Sequence, residues 1–412
     1  MVVRVARLVN LVVLAAILFS GGHVVGQVES PEIAYIRTSN HQARLDYLGK
    51  AVIWQDPGRK TPEDILNGQP GRFPFDFAEA TSPEGLPCEF VQPGRQLGGK
   101  TQKFICRGPN GQTARVKYYE PPHGNREIFG SVASTRLMWA LGFDADAVYP
   151  VRVNCIDCPK DPWTGRGDRS SRVLTSVIEA RFQGTLILSG HNSEEGWTWA
   201  QLDHAIQNLP AGEFRDRQRT HFEALTLLGV LIQHGDRKSS QQRLVCRGEI
   251  NFEAGDVHPA SSSDGSGWTL PALFERRGEM ACKEPVVTVQ DAGATFGAAG
   301  AFTDRITSKM SLKHWASKPV FRDAPDSTEC VGELSISLHS GAPGEPHQLI
   351  SEQGRQFLLE QLKRLDDAHL KALFTVAQVE VLGDENRYED PDSGTVHTGV
   401  DAWVTVFKKK VN

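Results

Sequence analysis

Long apolar runs are scarce in this chain of 412 residues. Only residues 11–19 form one, and they fall short of the roughly 20 apolar residues that a membrane-spanning helix needs. No segment concentrates Lys and Arg, and the formal net charge is −5, so the electrostatic footprint of sequence-independent nucleic-acid binding is missing. No internal repeat recurs, which leaves out stacked-repeat architectures. His234 has no second histidine cluster at metal-ligand spacing, which counts against a metal-dependent hydrolase built on His234 and Asp236. What is present is an ordinary globular composition, with 39% hydrophobic and 23% charged residues, 39 Gly and 23 Pro. The length suffices for two domains, or for one domain of two lobes, with ample core.

Residues 1–26 read as a secretory signal. Arg4 and Arg7 precede the apolar run, and Val24-Val25-Gly26 offers a cleavage site before Gln27, the order of charged, apolar and small-residue regions that marks export. An uncleaved anchor is the alternative. After cleavage no other segment looks membrane-spanning. Seven cysteines in an exported chain are expected to be mostly oxidised, and the odd count leaves at least one free or paired between chains. Cys88 and Cys106 flank a hairpin pattern, and Cys155 and Cys158 form a CxxC. Cys246 and Cys282 bracket a polar, Gly/Ser-rich insert and could bridge across a hairpin base. A four-cysteine zinc site from Cys155, Cys158, Cys246 and Cys282 is the competing reading, on weak spacing.

Residues 27–87 are rich in Pro and Gly and read as an extension wrapped on the domain, with a short helix opening at Thr61-Pro62-Glu63-Asp64. From 88 to 119 the period shortens to that of strands. Gly98-Gly99 separates the first two, and Gly108-Pro109-Asn110-Gly111 turns between the last two. The spacing predicts an antiparallel meander whose third strand carries Lys117. Residues 124–141 then read as a helix, with Glu127 in its first turn, an apolar face and Gly142 at its end. A strand over 148–153, the CxxC, a polar loop over 165–171 and a strand over 173–178 come next. The second half is mainly helical, over 198–207, 214–233 and 350–376. A Val-rich strand over 285–290 leads into Asp291-Ala292-Gly293, and residues 384–399 read as loose and polar.

Residues 231–243 are the most informative stretch. An apolar run stops at His234-Gly235, Asp236 and Arg237 follow in a polar loop, and a short strand begins at Arg243. A carboxylate at the mouth of such a loop is held by rigid elements yet faces solvent, where general bases are commonly carried. Taken alone, Asp236 reads equally well as a turn cap, and Lys117 as a solvated edge residue. Phosphoryl transfer asks for a cation on the phosphates, carboxylates for magnesium, and a residue that orients or deprotonates the acceptor. The order strand-Lys117, helix-Glu127, loop-Asp236, strand-end Asp291 supplies each in turn.

His234-Gly235-Asp236-Arg237-Lys238 resembles the Gly-Asp-Arg-His loop of phosphatidylinositol kinases and the Asp-Arg loops of HipA-like and secretory-pathway kinases. Asp291-Ala292-Gly293 with Phe296-Gly297 is similar to the Asp-Phe-Gly segment of that fold. Over about residues 88–376 the chain thus resembles the atypical branch of the protein-kinase-like fold. The resemblance implies an α+β, two-lobed architecture, with an antiparallel-sheet N-lobe (88–155) and a mainly helical C-lobe (156–380, carrying an insert at 247–280) before a tail (381–412). It implies that Asp236 orients the acceptor hydroxyl, that Asp291 holds Mg2+ or Mn2+, and that Lys117 and Glu127 grip the phosphates of ATP. Gly98 and Gly99 would lie in the loop over the nucleotide. Gln241 stands five residues after Asp236, where protein kinases place a metal-binding Asn, and its amide oxygen can still reach a metal. The gap of 55 residues between Asp236 and Asp291 and the absence of a full Gly-x-Gly-x-x-Gly pattern depart from that family. The expectation is an exported kinase that moves the γ-phosphate of ATP to a protein, lipid or sugar acceptor. The alternative is a secreted pseudokinase serving as a nucleotide- or protein-binding module.

Overall fold

The computed structural model describes residues 35–38, 40–73, 75, 80, 82–92, 97, 101–121, 126–180, 182–190, 192, 195–235, 238–247, 250–252, 257–260, 273–276, 280–297, 310–322, 330–334 and 347–412. Gly98, Gly99 and Asp236, the signal-like segment and the Ser/Gly-rich part of the insert lie outside the described residues. In chain order the elements begin with β1 (Tyr35–Arg37), α1 (His41–Lys50), α2 (Pro62–Asn67), β2 (Leu86–Val91), β3 (Lys103–Arg107) and β4 (Thr113–Tyr119). Then come α3 (Glu127–Leu141), β5 (Ala147–Asp161), β6 (Arg166–Ala180), β7 (Thr185–Leu188), α4 (Trp199–Gln207), α5 (Glu213–Leu231) and β8 (Gln242–Cys246). The insert carries β9 (Ile250–Phe252), β10 (Val257–Ala260), β11 (Leu273–Arg276) and β12 (Met280–Cys282), and β13 (Pro285–Val289) follows. The chain ends with α6 (Leu312–Ala316), β14 (Phe321–Arg322), β15 (Cys330–Glu333), β16 (His347–Ile350), α7 (Glu352–Leu362), α8 (Asp367–Val376), β17 (Arg387–Glu389), β18 (Val396–Thr398) and α9 (Gly399–Val411). The class is α+β.

Strands β2 to β6 close into a barrel in the order β2-β3-β4-β6-β5. The meander β2-β3-β4 is antiparallel, as its turn chemistry predicts, and Gly111 takes φ 77° in the Gly108–Gly111 turn. Phe104, Tyr118, Tyr149, Val151, Val153 and Ile178 fill the interior, together with the bridged pair Cys88–Cys106. A second sheet, in the order β1-β7-β8-β13, lies at the edge of the candidate site, with β1 parallel to β7 and the others antiparallel. Against it packs a larger core drawn from α3, α5, α7, α8 and α9. Helix starts follow their local signals: Thr61 and Asp64 form a capping box on α2, and Thr198 and Gln201 form one on α4.

Three expectations are corrected. Most of the stretch 165–171, read as a polar loop, is strand: after a turn at Gly165, β6 begins at Arg166 and pairs with β5 out to Asp161. Polar residues survive there because residues 166–171 of β6 are exposed, with Arg169 paired to Asp157 and Arg172, just beyond, to Glu120. Residues 384–399, read as loose and polar, instead carry the hairpin β17–β18, and the apolar piece after them is helix α9, whose Trp403 and Phe407 are buried against Trp315 and Phe374. A four-cysteine zinc site is overturned because its ligands are spent in two disulfides, Cys155–Cys158 and Cys246–Cys282. Cys330 is the unpaired cysteine among the described residues. Helix α3 also differs from its amphipathic reading. Every residue in it except Trp139 is buried, because it lies between β5 and α8.

No helix among the described residues is long and apolar enough to cross a membrane, and three disulfides fit an extracellular protein. Cys246–Cys282 joins the two ends of the insert, 36 residues apart in sequence. Replacing both cysteines by Ala is expected to lower unfolding free energy by about 3 to 4 kcal/mol, the entropy of closing a loop of that size. Urea titration of the double variant measures it, and an unchanged midpoint would rule out that contribution.

Candidate active site

Strand β4 supplies the central cation. Alternation places Val116 and Tyr118 in the barrel interior and Tyr119 in the helical core, so Lys117 shares the face of Tyr119, beneath α3. Lys117 is only 2% exposed. An unpaired ammonium at such a site would carry a prohibitive desolvation cost. Three carboxylates offset it: Nζ lies 2.6 Å from Glu179 Oε1, 2.8 Å from Asp291 Oδ1 and 3.4 Å from Glu127 Oε1. Burial by itself works against the charged lysine, but Glu179, Asp291 and Glu127 outweigh it and hold the pKa well above the ordinary range. Lys103 stands directly across from Lys117 on β3 and is itself buried. Burial first, and then the neighbouring Lys117, push its pKa down.

Each carboxylate arrives by a different element. Glu127 opens α3, and two glycines let that helix approach the turn after β13. A Cβ on Gly293 would sit 2.2 Å from Glu127 Cγ, and one on Gly130 would sit 2.4 Å from the carbonyl oxygen of Gly293. Hydroxyls close the contact: Ser134 Oγ donates to Ala292 O at 2.6 Å, and Thr295 Oγ1 to Gly130 O at 3.3 Å. Asp291 ends β13 with φ 47°, a left-handed conformation that Asp tolerates better than most residues. Phe296 is fully buried and packs edge-on against Trp315 and Phe374, anchoring the far end of this turn to the helical core. Glu179 comes from β6, on the same face as Val177, the residue opposite Lys117.

Behind this triad lies Asp146, buried in the turn before β5. Gln290 Nε2 donates to its Oδ1 at 3.2 Å, and its own N–H donates to Val289 O at 3.1 Å. Burial, then the charge of Glu179, push its pKa up to about 7. Gln241 is joined to the site through its backbone: the N–H of Gln290, next to Asp291, donates to Gln241 O at 2.9 Å. His234 is fully buried, with its ring 6.5 Å from that of Trp199. No group of three or more His, Cys, Asp or Glu suited to hold a metal occurs among the described residues. Beside the 238–241 loop opens a polar cleft of about 410 Å3, lined by Asn192, Glu195, Thr198, Gln201, Ser239 and Ser240 among others.

The structure therefore brings Lys117, Glu127 and Asp291 to one point and joins the backbone of Gln241 to the strand leading there. Asp236, Gly98 and Gly99 lie outside the described residues. Sequence reasoning missed Glu179, Asp146 and Lys103. A signal existed for the first two: each is an acidic residue at the end of an apolar strand segment, where period-2 alternation calls for burial.

No protein-family model matches the chain, and no curated protein matches it in sequence. Among solved structures it is similar to the Helicobacter pylori proinflammatory kinase CtkA, at 10% identity and a TM-score of 0.37, covering 79% of this chain and 93% of that one. It is also similar to Shewanella oneidensis HipA, solved with HipB and its operator DNA, at 10% identity and a TM-score of 0.27, covering 91% of this chain and 79% of that one. Likeness of this degree leaves function to be read from the residues themselves.

Asp146 has a consequence for stability. Its folded pKa is about 7, against about 4 when unfolded, so the native state holds this proton more tightly. The stability it contributes is complete below pH ~4 and is lost as pH rises towards 7, by about 1.4 kcal/mol per unit crossed at most. Asp146→Asn should remove this fall, so that variant and wild type differ in the slope of unfolding free energy against pH between 4 and 7. Parallel slopes in urea titrations would show that Asp146 titrates normally.

Proposed function

We propose that this protein is an exported atypical kinase that transfers the γ-phosphate of ATP to a hydroxyl-bearing acceptor. One observation carries the reading: a buried strand lysine whose ammonium is shared by the first-turn glutamate of the next helix, Glu127, and the strand-end aspartate Asp291. In such a fold the barrel strands form an N-lobe and the helical core a C-lobe, with residues 247–280 as an insert in the latter. Lys117 neutralises charge on the nucleotide phosphates, and Glu127 keeps it in place. Asp236, between α5 and β8 in sequence, orients the acceptor hydroxyl and takes its proton. As the bond from that oxygen to the γ-phosphorus forms, the bond from phosphorus to the β–γ bridging oxygen breaks and ADP leaves.

Mg2+ or Mn2+ fits the donor set, since Asp291 offers a carboxylate that is 31% exposed at the site and Gln241 a neutral amide oxygen, both hard oxygen ligands. When bound, such an ion supplies charge neutralisation along the phosphates. The polar cleft beside Ser239 and Ser240 is where an acceptor could be received, and its protein, lipid or sugar class is open. A pseudokinase that binds nucleotide without turnover is the second reading, favoured by Gln241, whose longer side chain is a less preorganised ligand than the Asn it replaces.

Substitution separates the carboxylates. Asp236→Asn should leave Mg-ATP binding nearly intact while phosphate transfer falls by a factor on the order of 10² to 10⁴, the range for a lost general base. Asp291→Asn should also weaken the magnesium-dependent part of nucleotide binding. Calorimetric titration with Mg-ATP and release of labelled phosphate measure the two effects. Binding without autophosphorylation, ATP hydrolysis or transfer would favour the pseudokinase, and no binding with either metal would refute the kinase reading.

A further inference from the structure

Glu179 has no place in the reading above, yet it is the nearest partner of the central lysine. Its Oε1 lies 2.6 Å from Lys117 Nζ, against 3.4 Å for Glu127. Three carboxylates crowd the ammonium, Asp291 and Glu127 accepting hydrogen bonds from it and Glu179 standing as a close ion pair. A phosphate oxygen can therefore reach Lys117 only if one carboxylate lets go. Glu127 is confined by the close packing of Gly130 and Gly293 and by the Ser134 and Thr295 hydroxyl bonds. Asp291 is fixed at the end of β13 in a left-handed turn and has its own proposed part in binding the cation. Glu179 sits at the end of an exposed-to-buried strand, and its contact with Lys117 is an ion pair with no hydrogen bond among the described residues holding its carboxylate. It also lies in the field of Asp146, a like charge whenever both are ionised. Lys103, across the strand from Lys117, feels Glu179 as well and is the cation left to balance it.

We propose that Glu179 is the positioning residue that holds Lys117 in the nucleotide-free site and is displaced from it by the nucleotide phosphates, so that this carboxylate limits nucleotide affinity. The inference rests on the nucleotide reading for its second half only. Two cations, Lys117 and Lys103, against three carboxylates leave the pocket net negative, which opposes a polyphosphate. Removing Glu179 lessens that opposition and clears the nearest carboxylate from Lys117, whereas removing Glu127 takes away the hydrogen bond that ties Lys117 to α3.

Two measurements test it on the full chain. The first needs no nucleotide: acylation of Lys117 by an N-hydroxysuccinimide ester, followed by peptide mass spectrometry. Glu179→Gln should raise the rate about threefold or more, and more than Glu127→Gln does, because a closer ion pair stabilises the unreactive ammonium more strongly. Glu179→Asp, which keeps the charge on a shorter arm, should fall between and serves if the Gln variant does not fold. The second is calorimetric titration with Mg-ATP, where Glu179→Gln should lower Kd by roughly tenfold, the scale of one removed like charge near a protein surface, with KM for Mg-ATP changing more than kcat. Unchanged labelling in Glu179→Gln, or labelling raised only by Glu127→Gln, overturns the assignment whatever nucleotide does. Raised labelling with equal or weaker Mg-ATP binding overturns the displacement. If neither protein binds Mg-ATP, the kinase reading and the displacement fall together, while labelling still decides which carboxylate holds the lysine.

Discussion

A buried ammonium is the constraint around which the rest is arranged. Lys117 has almost no access to water, and a charge so placed is tolerated only when neighbours replace its hydration. Three carboxylates do so, and they come from α3, from β6 and from the turn after β13. Satisfying one side chain thus ties the barrel, its flanking helix and the second sheet to a common point. The cost of breaking any of these contacts is high, because it leaves a buried charge uncompensated.

The surrounding framework makes that convergence geometrically attainable. Glycines at 130 and 293 remove the side chains that would hold α3 away from the turn, and hydroxyls of Ser134 and Thr295 satisfy the carbonyls exposed by the close approach. On the far side, the aromatic group Phe296, Trp315, Phe374 and Trp403 anchors the chain just beyond the turn. The Cys246–Cys282 bridge closes the insert at the strands that lead into Asp291. An insertion of this length can then vary without moving the carboxylate it precedes.

The polar network also sets the charge balance of the site. Glu179, Asp291 and Glu127 face Lys117, the first two also act on Lys103, and Asp146 stands beside Glu179, Asp291 and Arg72. Such a region resists anions unless cations accompany them, and it couples the protonation of Asp146 to the carboxylates in front of it. Response to added charge and stability against pH are therefore two expressions of the same electrostatics.

Local chemistry determined much by itself. Turn glycines and period-2 alternation marked the meander β2-β3-β4, the Thr-initiated caps marked α2 and α4, and the spacing of Lys117, Glu127 and Asp291 along successive elements marked three residues that meet. These signals are short-range, so they survive in a single sequence. The strand character of 166–171 and the hairpin β17–β18 were not legible. Each depends on ladder pairing between polar strands in solvent, so composition misrepresented both. Alternation hinted at burial for Glu179 and Asp146 but not at their partners, and only the closure of the barrel brought β6 beside β4. Which of several plausible carboxylates stands nearest Lys117 was decided by tertiary packing, because ion pairing in a low-dielectric interior depends on ångström-scale distances that no sequence pattern encodes.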